Sequence, residues 1–228
     1  MTDLASLYRV RFKESDLPGK MRIWQALCKG FFQQFVPLDA TVLDVACGYG
    51  EFINNIRAHR KHAVDLNPDT LRFLSSDIAF HQTRADNMTN VADDSVDVAF
   101  TSNFLEHLES KASCDNVLRE VLRVLRPGGR FVIMGPNIRY LPGEYWDFYD
   151  HLLPLSHLSL EEGLAMNGFR VTRNIPRFLP YTTRSALPQH PILVSAYLKF
   201  PAAWPLLGKQ FLLVAEKPAT GTPTHPAT

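Results

Sequence analysis

The residues best placed to do chemistry lie in VLDVACGYGEF, Val42 to Phe52. Val42, Leu43 and Val45 form a short apolar, β-branched run. Gly48 and Gly50 follow, and Phe52 and Ile53 then open a helical pattern, so the stretch reads as strand, glycine turn and helix. Glycine in such a turn lets a ligand approach the backbone closely. The unpaired N–H groups at a helix start favour a ligand carrying carboxylate or phosphate charge. Taken alone, the stretch also fits an ordinary strand-to-helix turn. About twenty residues after Asp44, the run HAVDLN places Asp65 at the end of a second apolar segment, where a nucleotide-binding fold puts a carboxylate on ribose hydroxyls. Ile53 stands where a dinucleotide fingerprint needs its third glycine, and Asp44 lies inside the strand, which argues against a nicotinamide cofactor.

Two further groups carry reactive side chains. SNFLEHL, Ser102 to Leu108, brings Asn103, Glu106 and His107 together after an apolar run. Histidine is suited to take a proton at neutral pH, so His107 is the first choice for a general base, with Glu106 beside it; a capping or supporting histidine is the plainer reading. EYWDFYDH interleaves Tyr145, Trp146, Asp150 and His151, with His157 shortly after. Such a segment makes a substrate wall, aromatic faces stacking on a sugar or ring and polar groups contacting hydroxyls or an amine; its aromatics equally suit a core.

The elements that must position these groups alternate along the chain. Strands are expected over Val42 to Ala46, Lys61 to Asp65, Phe80 to Ala85, Val96 to Thr101, Arg130 to Met134, Phe169 to Asn174 and Gln210 to Ala215. Helices are expected over Glu51 to His59, from Asn67-Pro68 to Leu74, over Ala112 to Leu125, and from a Ser159 cap to Asn167. Residues 1–36 suggest two helices broken near Pro18-Gly19, forming a cap. Alternation of this kind implies an α/β, Rossmann-like, mostly parallel sheet with helices on both faces.

These motifs, in this order, resemble the class I S-adenosylmethionine-dependent methyltransferases. VLDVACGYG looks like that family's glycine-rich motif, AVDLN its acidic ribose loop, ADNM its adenine-side loop, and VLRPGGRFVI its helix-to-strand corner; the likeness runs from about Thr41 to Phe169. It implies seven strands with an antiparallel last strand, S-adenosylmethionine as cofactor and S-adenosylhomocysteine as product. It also implies that Ala46, Cys47, Gly48 and Gly50 hold the methionine part with their backbone. Asp44 would order that loop or reach the ammonium, Asp65 would take the ribose, and Leu66 would lie beside the adenine. Asp86, Asn87 and Met88 would meet the adenine edge, Asn103 would lie next to the methyl group, and Tyr8 and Arg11 would close over the cofactor. Some relatives hold a divalent metal here through Glu-x-x-Glu-His; Asn103 replaces the first glutamate, so no metal is expected, although Glu106, His107 and a lid histidine are ligands of suitable type. The PLS-x-x-SL-x-E pattern of Pro154 to Glu162 resembles bacterial methyltransferases of glycan and secondary-metabolite pathways.

At 228 residues and 46% hydrophobic content, the chain is one domain of ordinary size, residues 1–216. A net charge of +1 with scattered basic residues gives no stripe for a phosphate backbone, so nucleic acid is not an expected partner. Three cysteines without CxxC spacing, and no apolar signal region, point to a reducing, cytoplasmic setting. No run is long enough to span a bilayer. Residues 136–158 and a proline-punctuated insertion at 175–209, roughly thirty-five residues long, are expected as substrate-side lid segments. The apolar far end of the insertion either packs on the sheet or faces a lipid-carried acceptor or a second subunit. Residues 217–228 read as a disordered tail. The expected activity is methyl transfer to a hydroxyl or amine of a small molecule, a saccharide or lipid-linked saccharide first, by a monomer or homodimer. The rivals are a nicotinamide-dependent oxidoreductase and a non-catalytic cofactor-binding partner subunit; ligand titration separates the first, and binding without turnover the second.

Overall fold

The computed structural model describes residues 17–181 and 190–219. Its centre is a seven-stranded sheet of order β3-β2-β1-β4-β5-β7-β6, with β1 Thr41–Val45, β2 Arg60–Asp65, β3 Ile78–Gln82, β4 Val96–Ser102, β5 Leu125–Pro136, β6 Arg170–Ile175 and β7 Gln210–Glu216. Pairs from β3 through β5 are parallel, and β7 runs antiparallel to both β5 and β6. The inner strands are buried on both faces, which is why β1, β4 and β5 read as nearly continuous apolar runs.

Each face is covered by its own core. One face packs α1 (Leu17–Gly30), through Trp24 and Leu27, with Phe31, Phe32, Phe52, Phe100, Phe178 and Trp204; Phe52 stacks on Phe100 at 3.7 Å. The other face packs α2 (Lys111–Val124) and α3 (His157–Met166), whose Val117, Leu118, Val121, Leu160 and Leu164 lie against Leu43, Val45, Phe131 and Ile133. Ser110 caps α2 by accepting from the Ser113 amide. The insertion adds α4 (Pro191–Leu198) and α5 (Trp204–Leu207), which join the first core through Leu198 and Trp204.

Several local expectations are corrected. No helix forms over Glu51 to His59; the segment is a series of turns with two i→i−4 bonds, Asn54 N to Gly50 O and Ile56 N to Phe52 O. The side chains of its neighbours explain this. Arg57 N donates to Gln33 Oε1 instead of continuing a helix, while Asn54 reaches across to Phe73 O and Ser75. Pro68–Phe73 is a 3-10 helix capped by Asn67. β3 begins at Ile78, two residues early. Ser156 rather than Ser159 caps α3, with Ser159 completing a capping box. Pro18 sits in the first turn of α1, and the helix expected ahead of it falls on residues outside those described. Pro127, Gly128 and Gly129 form an irregularity inside β5, pinned because Gly128 N donates to Lys217 O and Lys217 Nζ to Leu125 O. Lys217, read as the start of a disordered tail, is therefore anchored. Tyr8, Arg11, the rest of the expected amino-terminal helix, and the tail from residue 220 lie outside the described residues.

Candidate functional site

The glycine turn leaves the carboxyl end of β1 and lies beside the carboxyl end of its parallel neighbour β2. Ala46, Gly48 and Gly50 all take positive φ, 57°, 58° and 75°, the left-handed backbone that swings the chain away from the strand direction. At Gly50 the space is also required: a Cβ would stand 2.4 Å from Leu74 Cδ2 and 2.8 Å from Asn54 Nδ2. Asp65, last in β2, braces the turn. Its Oδ2 accepts from Gly48 N and its Oδ1 from Asn67 N, each at 2.8 Å, while Thr70 Oγ1 donates to Gly48 O at 2.8 Å. Each carboxylate oxygen keeps acceptor capacity for a ligand hydroxyl. Burial raises the Asp65 pKa, against the opposing pull of its backbone hydrogen bonds.

Asp44 and Glu51 complete a buried acidic group beside this turn. Asp44 is 3% exposed, accepts a hydrogen bond from the Ile53 backbone, and has its pKa pushed well up by burial first and by Glu51 and Asp65 after it. Glu51 is buried and pairs with Lys20 at 2.5 Å. Neither Glu51 nor Thr70 was singled out by sequence reasoning. Glu51 directly follows the second glycine, which was the available signal; Thr70 offered none.

Past β4, a 3-10 turn over Leu105–His107 sets His107 against the segment after β5. His107 Nδ1 lies 3.0 Å from Asp150 Oδ2 and 3.1 Å from Asp150 O, both acceptors, so Nδ1 carries the proton and Nε2 is left as the acceptor. Burial lowers the His107 pKa, and the Asp150 hydrogen bond together with the charges of Glu106 and Asp150 outweighs it, for a net rise. His151 packs edge-on at 5.1 Å, and Glu106, His107 and His151 each bring a ligand-type atom within 4.8 Å of the others, an arrangement able to hold a cation. The sequence offered Glu106, His107 and a lid histidine only as residue types; the structure converges them. Asp150, expected to contact substrate, touches His107.

The remaining expected residues divide between surface and core. Leu66 and Asn87 are exposed, and Trp146 is 55% exposed. Asp86 is held by Arg84 through two bonds of 2.8 and 2.7 Å. Asn103 directly follows β4 with φ 50°, its N–H on Met134 O. Met88 is in the core, its N–H given to Glu120 at 2.6 Å. Cys47 is buried, its N–H on Val64 O and its thiol pKa raised by burial. Tyr145 is fully buried and donates to Leu153 O at 2.5 Å, and His157 is buried 2.8 Å from Asn137 Nδ2. Those two are packed as internal supports.

Residues 43–133 match the family described as a methyltransferase domain. The chain is 36% identical over 107 residues to the human thiol S-methyltransferase TMT1A, covering 41% of each chain. It is 32% identical over 136 residues to a Mycolicibacterium smegmatis protein named as a probable S-adenosylmethionine-dependent methyltransferase, covering 57% of this chain and 52% of the other. The match thus spans about half the length or less of these curated relatives. A SAM-dependent methyltransferase from Archaeoglobus fulgidus shares the fold, with TM-score 0.64 at 20% identity over 94% of this chain and 100% of the other. Matched core, motif order and sheet topology agree: residues 43–133 match a methyltransferase domain, and the chain shares the fold of S-adenosylmethionine-dependent methyltransferases.

Proposed function

We propose that the protein transfers the methyl group of S-adenosylmethionine to a hydroxyl or amine of a small molecule, a saccharide or lipid-linked saccharide first among acceptors. The observation that carries this reading is the acidic trio Asp44, Glu51 and Asp65 around the glycine turn. Burial raises the pKa of Asp44 and Asp65, and such carboxylates are relieved by a positive ligand and oppose a negative one. A sulfonium and an ammonium meet that condition, whereas the pyrophosphate of a nicotinamide dinucleotide does not. In this reading Asp65 holds the ribose hydroxyls and Asp44 faces the ammonium. The turn backbone from Ala46 to Gly50 holds the methionine part, Leu66, Asp86 and Asn87 meet the adenine, and Asn103 borders the methyl.

A sulfonium methyl is already activated, so holding the acceptor atom in line supplies most of the acceleration, on the order of 7 to 11 kcal/mol. The acceptor's lone pair forms the new bond to carbon, the carbon–sulfur bond breaks, and S-adenosylhomocysteine leaves neutral at sulfur. His107 Nε2 takes the acceptor proton, with Asp150 fixing the ring and stabilising the charge that forms. Exposed Trp146, Tyr149 and Asp147 beside Asp150 supply stacking faces and a hydroxyl partner for a sugar. Segments 136–158 and 175–209 act as the substrate-side lid and residues 1–36 as the cap. The buried free thiols Cys28, Cys47 and Cys114 support a cytoplasmic setting.

Calorimetric titration with S-adenosylmethionine, S-adenosylhomocysteine and NAD tests the cofactor, and S-adenosylhomocysteine release against a panel of glycans tests the reaction. Tight NAD binding without S-adenosylmethionine binding ends the reading. The Glu106, His107 and His151 cluster favours one second reading, a divalent ion that polarises the acceptor. Activity that survives exhaustive chelation supports proton transfer to His107; activity lost and restored by a divalent ion supports the metal.

A further inference from the structure

The α1 and α4 side of the molecule has a composition unlike the rest. Residues 17–36 and 190–209 contain no aspartate or glutamate in a chain that has 23, while carrying Lys20, Arg22, Lys29, Lys199 and Lys209. Among the described residues, Arg22, Lys29 and Lys199 make no ion pair. A Cβ at Gly30 would stand 3.1 Å from Leu198 Cδ1, so Lys29 and Lys199, the sequence neighbours of those two residues, come to the same end of this side.

Apolar side chains stand out from the same surface. In α4, Val194, Tyr197 and Leu198 face the core, leaving Ile192 (70% exposed), Leu193 (50%) and Ala196 on the opposite side at helical spacing. Phe200 (63%) continues that stripe one turn on, and α5 adds Leu206 (76%) and Leu207 (46%). Isolated exposed apolar residues are ordinary, but five large ones clustered within sixteen residues mark a contact surface.

We infer that this side docks on a lipid surface bearing anionic headgroups, with Ile192, Leu193, Phe200, Leu206 and Leu207 entering the headgroup boundary and Arg22, Lys29 and Lys199 on the phosphates, Lys20 and Lys209 being paired with Glu51 and Glu144. Charge complementarity selects this occupant. A second copy of the chain would bring Arg22, Lys29 and Lys199 of two faces together, and like charges oppose that pairing. A nucleic acid would use the cations and leave five apolar side chains without a role. No helix among the described residues is long and apolar enough to cross a membrane, so the contact is peripheral. The inference stands apart from the proposed methyl transfer, since it needs no cofactor.

The test is co-sedimentation of the full chain with phosphatidylcholine vesicles, with and without phosphatidylglycerol. The expected result is binding to the phosphatidylglycerol vesicles that weakens as salt rises and falls at least about tenfold in the triple variant Ile192→Asp, Phe200→Asp, Leu206→Asp, because apolar burial at the headgroup boundary is lost. Lys199→Glu weakens it further at low salt than at high. Light scattering and S-adenosylhomocysteine titration on the same variants confirm mass and fold, and a failure of ligand binding in every form would bear on the cofactor alone. No sedimentation, sedimentation unchanged in the triple variant, or a native dimer that the variant splits into monomers overturns the inference.

Discussion

Replacing Asp65 probes both the brace and the ligand grip, and the two effects separate. In the ligand-free protein the carboxylate accepts from Gly48 N and Asn67 N, each at 2.8 Å, in a site only 7% exposed. A hydrogen bond to a charged group contributes about 1.5–3 kcal/mol, so Asp65→Ala costs about 3–6 kcal/mol of a total stability of about 5–15. Asp65→Asn keeps one acceptor oxygen and turns an NH2 group toward the other N–H, so it loses about half as much. Urea unfolding measures this loss, and the smaller cost of the asparagine variant leaves enough folded protein for titration with S-adenosylhomocysteine. With the ribose hydroxyls robbed of a charged acceptor, affinity drops at least tenfold, about 1.4 kcal/mol. The sign of the pH dependence follows from the raised Asp65 pKa: ribose affinity is full above that value and is lost as pH falls through it. An asparagine variant that loses stability yet binds with unchanged affinity would show that Asp65 only braces the turn, and the ribose assignment would be abandoned.

Gly50→Ala places a side chain at φ 75° against Leu74 and Asn54, costing about 1–2 kcal/mol for the left-handed backbone and about 1–3 more for overpacking, whereas Gly128→Ala at φ 79° meets nothing and incurs only the first cost. Equal urea midpoints for the two variants would contradict the packing argument. Asp150→Asn removes the charge that offsets the burial of His107, so the acid limb of the kcat/KM profile moves to lower pH; a limb that stays in place rules out His107 as the titrating base.

Strand positions were legible because apolar runs leave a strong one-dimensional trace: β1, β2, β4, β6 and β7 lie within one residue of expectation, β5 starts five residues early at Leu125, and Asp65 falls at a strand end as its run implied. The failures lie where long-range side-chain bonds decide local structure. Nothing near Arg57 announces that its amide goes to Gln33, so the expected helix after the glycine turn was not legible as turns. The Asp150 contact with His107 spans 43 residues and has no periodic signature. Tyr145 read as a stacking surface because its residue type suits one; only the fold reveals that its hydroxyl is committed to Leu153 O.

Gln33 has a wider consequence. Its Nε2 donates to both Val36 O and Arg57 O while its Oε1 receives Arg57 N, so one amide side chain from ahead of β1 stands in for a missing helical turn in the crossover to β2. That crossover is consequently not a self-sufficient unit. Replacing Gln33 therefore releases both the Arg57 amide and the Arg57 carbonyl just ahead of β2 in one step.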